Sequence, residues 1–370
     1  MALGKIYGAA ASRRISSGAF AGLLALFLAG CGSAQNGLSS DVPGSRQSSG
    51  STLAGTDTAP GHSLSQVTSW ALFNAEALGH APTLDEMTRS GANLLLVDPA
   101  AVTSDPKLLS KRVQDIKGTG SRRVIAIVDV AKIGTASSLW NTAWQPSKSG
   151  VLPASAPSWL RAPSSGGQTQ FDVVYWDSGW RAAIGGLCAQ LIAAGFDGIS
   201  LTGCDAYGDA AKSRATAVGD MASLVKAIAD AARAKSGNAS VVVDDPYFAG
   251  KLADKERKEF LDTVDGVTAT GVFYGDPKSG DRSLNPNADL IAALDTLDRA
   301  GKKVLVWEQI SGSDRVADFD ARSRTRGYLP FVARPLDTTH TAKDGTAQTA
   351  SAGSNQAPCR NYLAANFAPG

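Results

Sequence analysis

Histidine and cysteine are scarce in this chain of 370 residues. The 3 histidines lie far apart, and the 4 cysteines form no C-x-x-C pair. A zinc site of thiolate and imidazole ligands is therefore not expected. No histidine falls at a predicted strand end either, so a Ser/His/Asp triad lacks support. We expect neither a resident metal nor a cofactor.

An excess of charge of one sign is also missing, because the formal net charge is +2 and charged residues make up 19% of the chain. A balanced surface without a dense basic run gives no reason to expect nucleic acid as a partner. The hydrophobic fraction of 43% is ample for a large core.

The N-terminal residues read as a targeting segment. Lys5, Arg13 and Arg14 precede an apolar run over 19–28, which is too short for a comfortable membrane span. The run ends in the sequence LAGC, which resembles a bacterial lipobox and closes at Cys31. We expect a signal peptide over 1–30 and lipid attachment to Cys31, which would hold the protein on the membrane of the bacterial cell envelope, facing the periplasm or the exterior.

Two segments have low-complexity composition. Residues 31–61 are rich in serine, glycine and threonine, and are predicted to form a flexible tether. Residues 338–370 are predicted to form a low-complexity tail, which contains Cys359. The region between them, 62–337, is predicted to be a single domain.

Short apolar runs alternate with helical periodicity throughout this domain. Runs that are apolar on both faces are typical of strands in a parallel sheet. Eight such units fit an α/β fold of the (β/α)8 TIM type, with a doubly wound open sheet as the alternative. No glycine-rich loop follows the first strand, which disfavours a dinucleotide-binding fold. The predicted strands fall within 67–73, 93–98, 123–129, 199–201, 241–245, 264–275, 304–308 and 327–332.

A long segment over 132–170 shows no regular pattern but contains three tryptophans, Trp140, Trp144 and Trp159. Long loops in compact domains are usually functional or disordered, and interspersed indoles argue against disorder. The tryptophans either pin this segment to the barrel rim or stack on sugar rings, and the sequence leaves both interpretations open.

Four motifs carry a resemblance to a known family. They are VVYWDSGW at 173–180, GFDGISLTGCD at 195–205, VDGVTATGVFYG at 264–275 and GYLPFV at 327–332. The chain from Trp70 to Asp337 resembles the endo-α-1,4-polygalactosaminidase-like glycoside hydrolases of family 114. The resemblance implies a TIM barrel that acts on an amino-sugar polysaccharide.

The chain departs from the family at the two positions expected to be catalytic. Thr202 stands where the family has an aspartate, and Thr270 where it has a glutamate. Glycoside hydrolysis normally needs two carboxyl groups that flank the scissile bond. A threonine hydroxyl has no pKa near neutrality and carries no negative charge, so it replaces neither group. We therefore expect a barrel that binds polysaccharide but is catalytically weak or inactive.

Other acids follow the predicted strands, and they offer an alternative. Asp205, Glu308 and Asp245 are candidates for relocated catalytic carboxyl groups in an active endo-glycosidase. Structural roles are equally open for several acids, and helix capping is the favoured role for one of them, Asp177. A third hypothesis is a non-enzymatic structural or assembly lipoprotein. The residues predicted to contact substrate are Asp98, Asp129, Trp176, Asp177, Tyr207, Asp244 and Tyr274.

Overall fold

A computed structural model describes residues 64–147, 150–162, 169–275 and 283–333. All of them belong to one compact unit, Thr58–Gly370. The predicted signal peptide, Cys31, the tether over 31–61 and the tail over 338–370 lie outside the described residues, so these expectations stay predictions. Within the described ranges, no helix has both the length and the apolar character that crossing a bilayer requires.

Eleven strands are described. They are β1 Trp70–Phe73, β2 Leu94–Val97, β3 Arg123–Asp129, β4 Lys132–Gly134, β5 Leu160–Arg161, β6 Gln170–Val173, β7 Gly198–Thr202, β8 Ser240–Val243, β9 Gly266–Thr270, β10 Lys303–Gln309 and β11 Leu329–Ala333. Eight of them pair in parallel, in the order β1-β2-β3-β7-β8-β9-β10-β11. Each of these eight strands overlaps one of the eight runs that the sequence predicts.

Helices connect successive barrel strands. They are α1 Ala75–Leu78, α2 Leu84–Arg89, α3 Pro99–Val102, α4 Pro106–Lys117, α5 Ser178–Ala193, α6 Tyr207–Ala210, α7 Ala217–Lys235, α8 Phe248–Lys251, α9 Asp254–Thr263, α10 Ala288–Arg299 and α11 Ser313–Thr325. Side chains fix several of their starts: the oxygen of Asp105 accepts from the Lys107 amide at α4, with Pro106 in the first turn. Such caps satisfy backbone N–H groups that have no partner inside the helix.

The first and last strands approach each other through Trp70 on β1. Its indole Nε1 donates to the carbonyl of Leu329 on β11 at 2.8 Å, and its ring centroid lies 5.6 Å from that of Phe331. The sheet thus curls into a nearly closed barrel, and its strand order has no reversal. The prediction of a (β/α)8 barrel is confirmed, and the alternative of a doubly wound open sheet is wrong.

The described residues of the segment over 132–170 are more regular than the sequence suggests. Strands β4 and β5 both pair antiparallel with β6, which makes a small second sheet beside the barrel. The indole rings of Trp140, Trp144 and Trp159 contact one another in series, and Trp159 packs on the buried Trp180 of α5 with centroids 4.9 Å apart. Trp159 therefore packs the segment against the barrel, which is one of the two roles that the sequence leaves open for the tryptophans.

Two Asp-Gly pairs mark the amino ends of barrel strands. Asp197 accepts from the Val124 amide at 2.8 Å and pairs with Lys117 at 2.7 Å. Asp265 accepts from the Val241 amide at 2.7 Å. Both carboxylates join neighbouring strands at the amino end of the barrel, opposite to the strand ends described below.

Candidate functional site

Register assigns each strand residue to one of the two faces of the barrel wall. Thr202 pairs with Asp129, and Thr270 pairs with Trp307. Partners in a parallel register lie on the same face, and faces alternate along each strand. The face with Thr202 and Thr270 also holds Ser200 and Thr268, whereas the opposite face of β7 and β9 is wholly apolar. Helices pack on apolar surface, so we assign the polar face to the barrel interior.

The two threonines end their strands at the carboxyl edge of the barrel. One strand, β8, separates β7 from β9, so the two backbones are roughly 10 Å apart. Carboxyl groups that reach inward from such positions approach the spacing of a glycosidase pair, about 5 to 10 Å. The Thr270 Oγ1 is buried and has no hydrogen-bond partner among the described residues. An unpaired buried hydroxyl is costly, which suits a site that a ligand completes.

Two carboxylates from neighbouring strands meet at Gly203, directly after Thr202. Asp244 accepts from the amides of Gly203 at 2.9 Å and Cys204 at 3.2 Å. Asp129 accepts from the amides of Ala131 and Lys132, and its Oδ1 leaves no room for a β-carbon at Gly203. The Asp244 bonds join the end of β8 to the residues after β7, and Asp129 at the end of β3 packs against the same glycine.

Two further acids complete a cluster of four. Asp205 is exposed in the loop after β7, and Asp245 is buried directly after β8. The Tyr207 hydroxyl donates to Asp245 at 2.8 Å, and its ring stacks on Phe248. The cluster formed by Asp129, Asp205, Asp244 and Asp245 is called the acidic cluster below. The structure therefore brings together four of the acids that the sequence singles out.

Burial and mutual repulsion shape the protonation of the acidic cluster. Burial raises the pKa of Asp244 to about 7, against hydrogen bonds from two amides and with the charges of Asp205 and Asp245 adding to the rise. Burial also raises the pKa values of Asp129 and Asp245, and the charge of Asp205 adds to both. Near neutral pH the Asp244 carboxyl group is therefore protonated in part of the molecules. A protonated carboxyl group is what a proton donor requires.

Glu308 does not join the acidic cluster. It follows Trp307, the register partner of Thr270, and therefore lies on the opposite face of the wall. Its Oε1 accepts from the amides of Val272 at 2.8 Å and Phe273 at 3.2 Å, and the side chain is 1% exposed. Burial raises the pKa of Glu308 to about 7, against these backbone hydrogen bonds. The carboxylate secures the loop after β9.

The remaining residues predicted to contact substrate have clear partners. Asp98 caps α3 by accepting from Ala100, and Asp177 caps α5 by accepting from Gly179 at 2.7 Å. The Tyr274 hydroxyl donates to Asp318 at 2.8 Å. Trp176 is half-buried, and the guanidinium carbon of Arg214 lies 5.0 Å from its ring centroid. None of these contacts places the side chain within the acidic cluster.

Sequence reasoning missed the basic side chains beside this edge. Arg181 in the first turn of α5 and Arg214 before α7 both act on the carboxylate of Asp220. No motif marked them, because they stand in separate connections 33 positions apart in the numbering. Only the path of the chain brings them together.

The described part of the chain contains no candidate metal-ligand group, and it contains two free thiols. The described residues contain no group of three or more His, Cys, Asp or Glu side chains arranged to hold a metal ion. Cys188 and Cys204 are buried free thiols and are not paired with each other.

No protein-family model matches the chain. Curated relatives are uncharacterized proteins of Methanocaldococcus jannaschii, 24% identical over 68% of this chain and 72% of the relative, and of Deinococcus radiodurans, 26% identical over 74% and 83%. Among solved structures, a variant of the glycoside hydrolase domain of PelA from Pseudomonas aeruginosa matches with a TM-score of 0.50 and 17% identity, over 73% of this chain and 95% of that one. The resemblance in the sequence motifs is thus confirmed at the level of the fold: this chain is a TIM barrel similar to that glycoside hydrolase domain.

Proposed function

We propose that the protein is a lipid-anchored barrel that binds an exported or envelope polysaccharide containing amino sugars, and that it has little or no hydrolase activity. The observation that carries the proposal is the position of Thr202 and Thr270. Both end a strand on the polar face, two strands apart, where a glycosidase would hold its carboxyl pair. Neutral hydroxyls there can bind a sugar but cannot stabilise an oxocarbenium-like transition state.

The acidic cluster supports the amino-sugar part of the proposal. Four carboxyl groups at one edge attract the ammonium groups of a partly deacetylated polymer. The exposed Asp205 is open to direct contact with such a group. Lipid attachment at Cys31 would keep the barrel at the membrane where an exported polymer emerges.

The test uses the full chain with Cys31→Ser, so that it stays unlipidated. We expect saturable binding of a galactosamine oligomer in calorimetry, without release of shorter fragments. The double variant Thr202→Asp with Thr270→Glu should gain fragment release, because it restores one carboxyl group on each side. The control is Ser200→Asp, which adds a carboxyl group to the same face of β7 but one layer deeper in the barrel, and it should stay inactive.

Absence of binding to any envelope or secreted glycan would overturn the proposal and favour a structural or assembly lipoprotein. An inert double variant that remains folded would count against simple loss of two catalytic acids. For the anchor, incorporation of labelled fatty acid into the native chain but not into Cys31→Ser is the expected result.

A second candidate function is an active endo-glycosidase that uses relocated carboxyl groups. The raised pKa values in the acidic cluster favour it, because a buried acid beside a charged one is a typical proton donor. Fragment release by the native chain that disappears in Asp205→Asn or Asp245→Asn would establish this function. Loss of release in Glu308→Gln alone would instead assign the chemistry to the outer face of the wall.

A further inference from the structure

A basic group lies beside the acidic cluster, at the same edge of the barrel. Trp176 stands between β6 and α5, and Arg214 stands between α6 and α7. Trp176 thus belongs to the long connection from barrel strand β3 to α5, and Arg214 to the connection from barrel strand β7 to α7, and both connections begin at the carboxyl end of their barrel strand. The Arg214 guanidinium carbon lies 5.0 Å from the centroid of the Trp176 ring, within the range of a cation–π contact. The ring therefore supports the plane of the guanidinium group.

Asp220 fixes the direction of Arg214. Its Oδ2 accepts from Arg214 Nε at 2.5 Å and from Thr216 Oγ1 at 2.8 Å. Nε is the only Arg214 nitrogen that forms a hydrogen bond within the described part of the chain, so the outer edge of the guanidinium group has no acceptor there. The Arg214 side chain is 38% exposed. A guanidinium group held at one edge and open at the other presents a fork to an incoming ligand.

Arg181 adds a second positive charge to the same place. Its Nε is buried and has no hydrogen-bond partner among the described residues. Burial opposes ionisation of Asp220, but hydrogen bonds from Arg214 and Thr216 and the charges of Arg214 and Arg181 together hold the pKa of Asp220 below its ordinary value. One carboxylate thus faces two guanidinium groups, and the Nε of Arg181 still lacks an acceptor among the described residues.

A guanidinium group whose buried N–H has no hydrogen-bond acceptor is unfavourable in a protein without a bound ligand. Guanidinium groups bind carboxylates through two parallel hydrogen bonds, which would satisfy the open donors. The pair also stands next to the edge at which the proposed polysaccharide would bind. A ligand with an acidic substituent one or two sugar units from the acidic cluster would match both charge patterns.

We propose that Arg181 and Arg214, supported by Trp176, form a subsite for a carboxylate-bearing sugar unit of the bound polysaccharide. The inference rests on the proposed function in one respect, namely that the ligand is a polysaccharide. It adds that the polymer carries acidic units, either uronic acids or acidic acyl substituents, in addition to amino groups.

The experiment measures binding of three oligomers of equal length, made of galacturonic acid, galactose or galactosamine, to the full chain with Cys31→Ser. We expect Arg214→Gln and Arg181→Gln each to weaken binding of the galacturonic acid oligomer by tenfold or more, and binding of the galactose oligomer by less than twofold. Arg89→Gln is the matched control, since Arg89 pairs with Asp85 on α2, far along the chain from this edge. It should change neither affinity.

Arg214→Lys keeps the charge but loses the planar fork, so it should retain only part of the affinity; it also serves if Arg214→Gln fails to fold. Two results would overturn the inference. One is binding of the galacturonic acid oligomer that Arg214→Gln and Arg181→Gln leave unchanged, and the other is binding of inorganic phosphate but not of that oligomer. Binding of the galactosamine oligomer alone would overturn the inference and leave the proposed function standing. Failure of all three oligomers would overturn both.

Discussion

Gly203 is the residue on which the acidic edge depends. Its backbone is left-handed, with φ of 76°, and a β-carbon there would lie 2.8 Å from the Oδ1 of Asp129 and 3.0 Å from the β-carbon of Ala131. Its amide also donates to Asp244. Only a residue without a side chain lets the carboxylates of two neighbouring strands approach the same peptide so closely.

Replacing Gly203 by alanine has two costs, the backbone strain of a positive φ and the clash of the new β-carbon with Asp129. Comparison with a second glycine separates them. Gly301 has the same φ of 76°, but nothing lies within 4 Å of its added β-carbon. We expect Gly301→Ala to lower the free energy of unfolding by about 1 kcal/mol through backbone strain alone. Gly203→Ala should cost at least about 1 kcal/mol more, because Asp129 must also move. Denaturant unfolding of both variants measures the difference, and equal losses would show that the close approach has no energetic weight.

At the scale of elements, Asp177 caps the start of α5 at a position where the sequence also predicts a contact with substrate. Asp177 accepts from the Gly179 amide and from the Ser158 hydroxyl at 2.9 Å. It thus begins α5 and links that helix to the segment before β5. The capping role that the sequence favours agrees with these bonds.

The cap can be tested apart from any ligand role. Asp177→Ala should lower the free energy of unfolding by about 1 kcal/mol, and Asp177→Asn by less, because asparagine is an equally good N-cap. Asp105→Ala, which removes the corresponding cap of α4, provides a matched control of similar size. Affinity for a galactosamine oligomer should stay unchanged in Asp177→Asn; a clear loss there, with stability intact, would assign the carboxylate to substrate contact after all.

At the scale of the whole molecule, two buried carboxyl groups make stability depend on pH. The pKa values of Asp244 and Glu308 are each about 7, well above those of unfolded chains. The folded protein then binds more protons than the unfolded chain between about pH 4 and 7. The free energy of unfolding therefore falls as the pH rises through this window, and the full penalty is present above about pH 7.

We expect the melting temperature of the chain to be lower at pH 8 than at pH 5.5 by several degrees. Glu308→Gln should reduce this difference, because an amide oxygen still accepts from Val272 and Phe273 but stays neutral. Glu259→Gln, on the exposed surface of α9, should leave the difference unchanged. An identical pH dependence in native chain and Glu308→Gln would show that Glu308 titrates alike in folded and unfolded states.

Local pattern was enough to predict the eight barrel strands, since each is a short apolar run closed by polar or glycine residues, and a parallel sheet buries both faces of such runs. The same holds for Asp177 as a cap, because that role involves neighbours close in the sequence. The family motifs likewise singled out Thr202 and Thr270 as the two positions expected to be catalytic.

Only the tertiary structure decided which charged groups meet. Asp129, Asp205, Asp244 and Asp245 come together because parallel register aligns the ends of β3, β7 and β8, whereas Glu308 is turned away by one step of strand alternation. Arg181 and Arg214 meet at Asp220 through contacts between separate connections. Register and packing of this kind depend on residues far apart in the chain, and a linear pattern does not contain them.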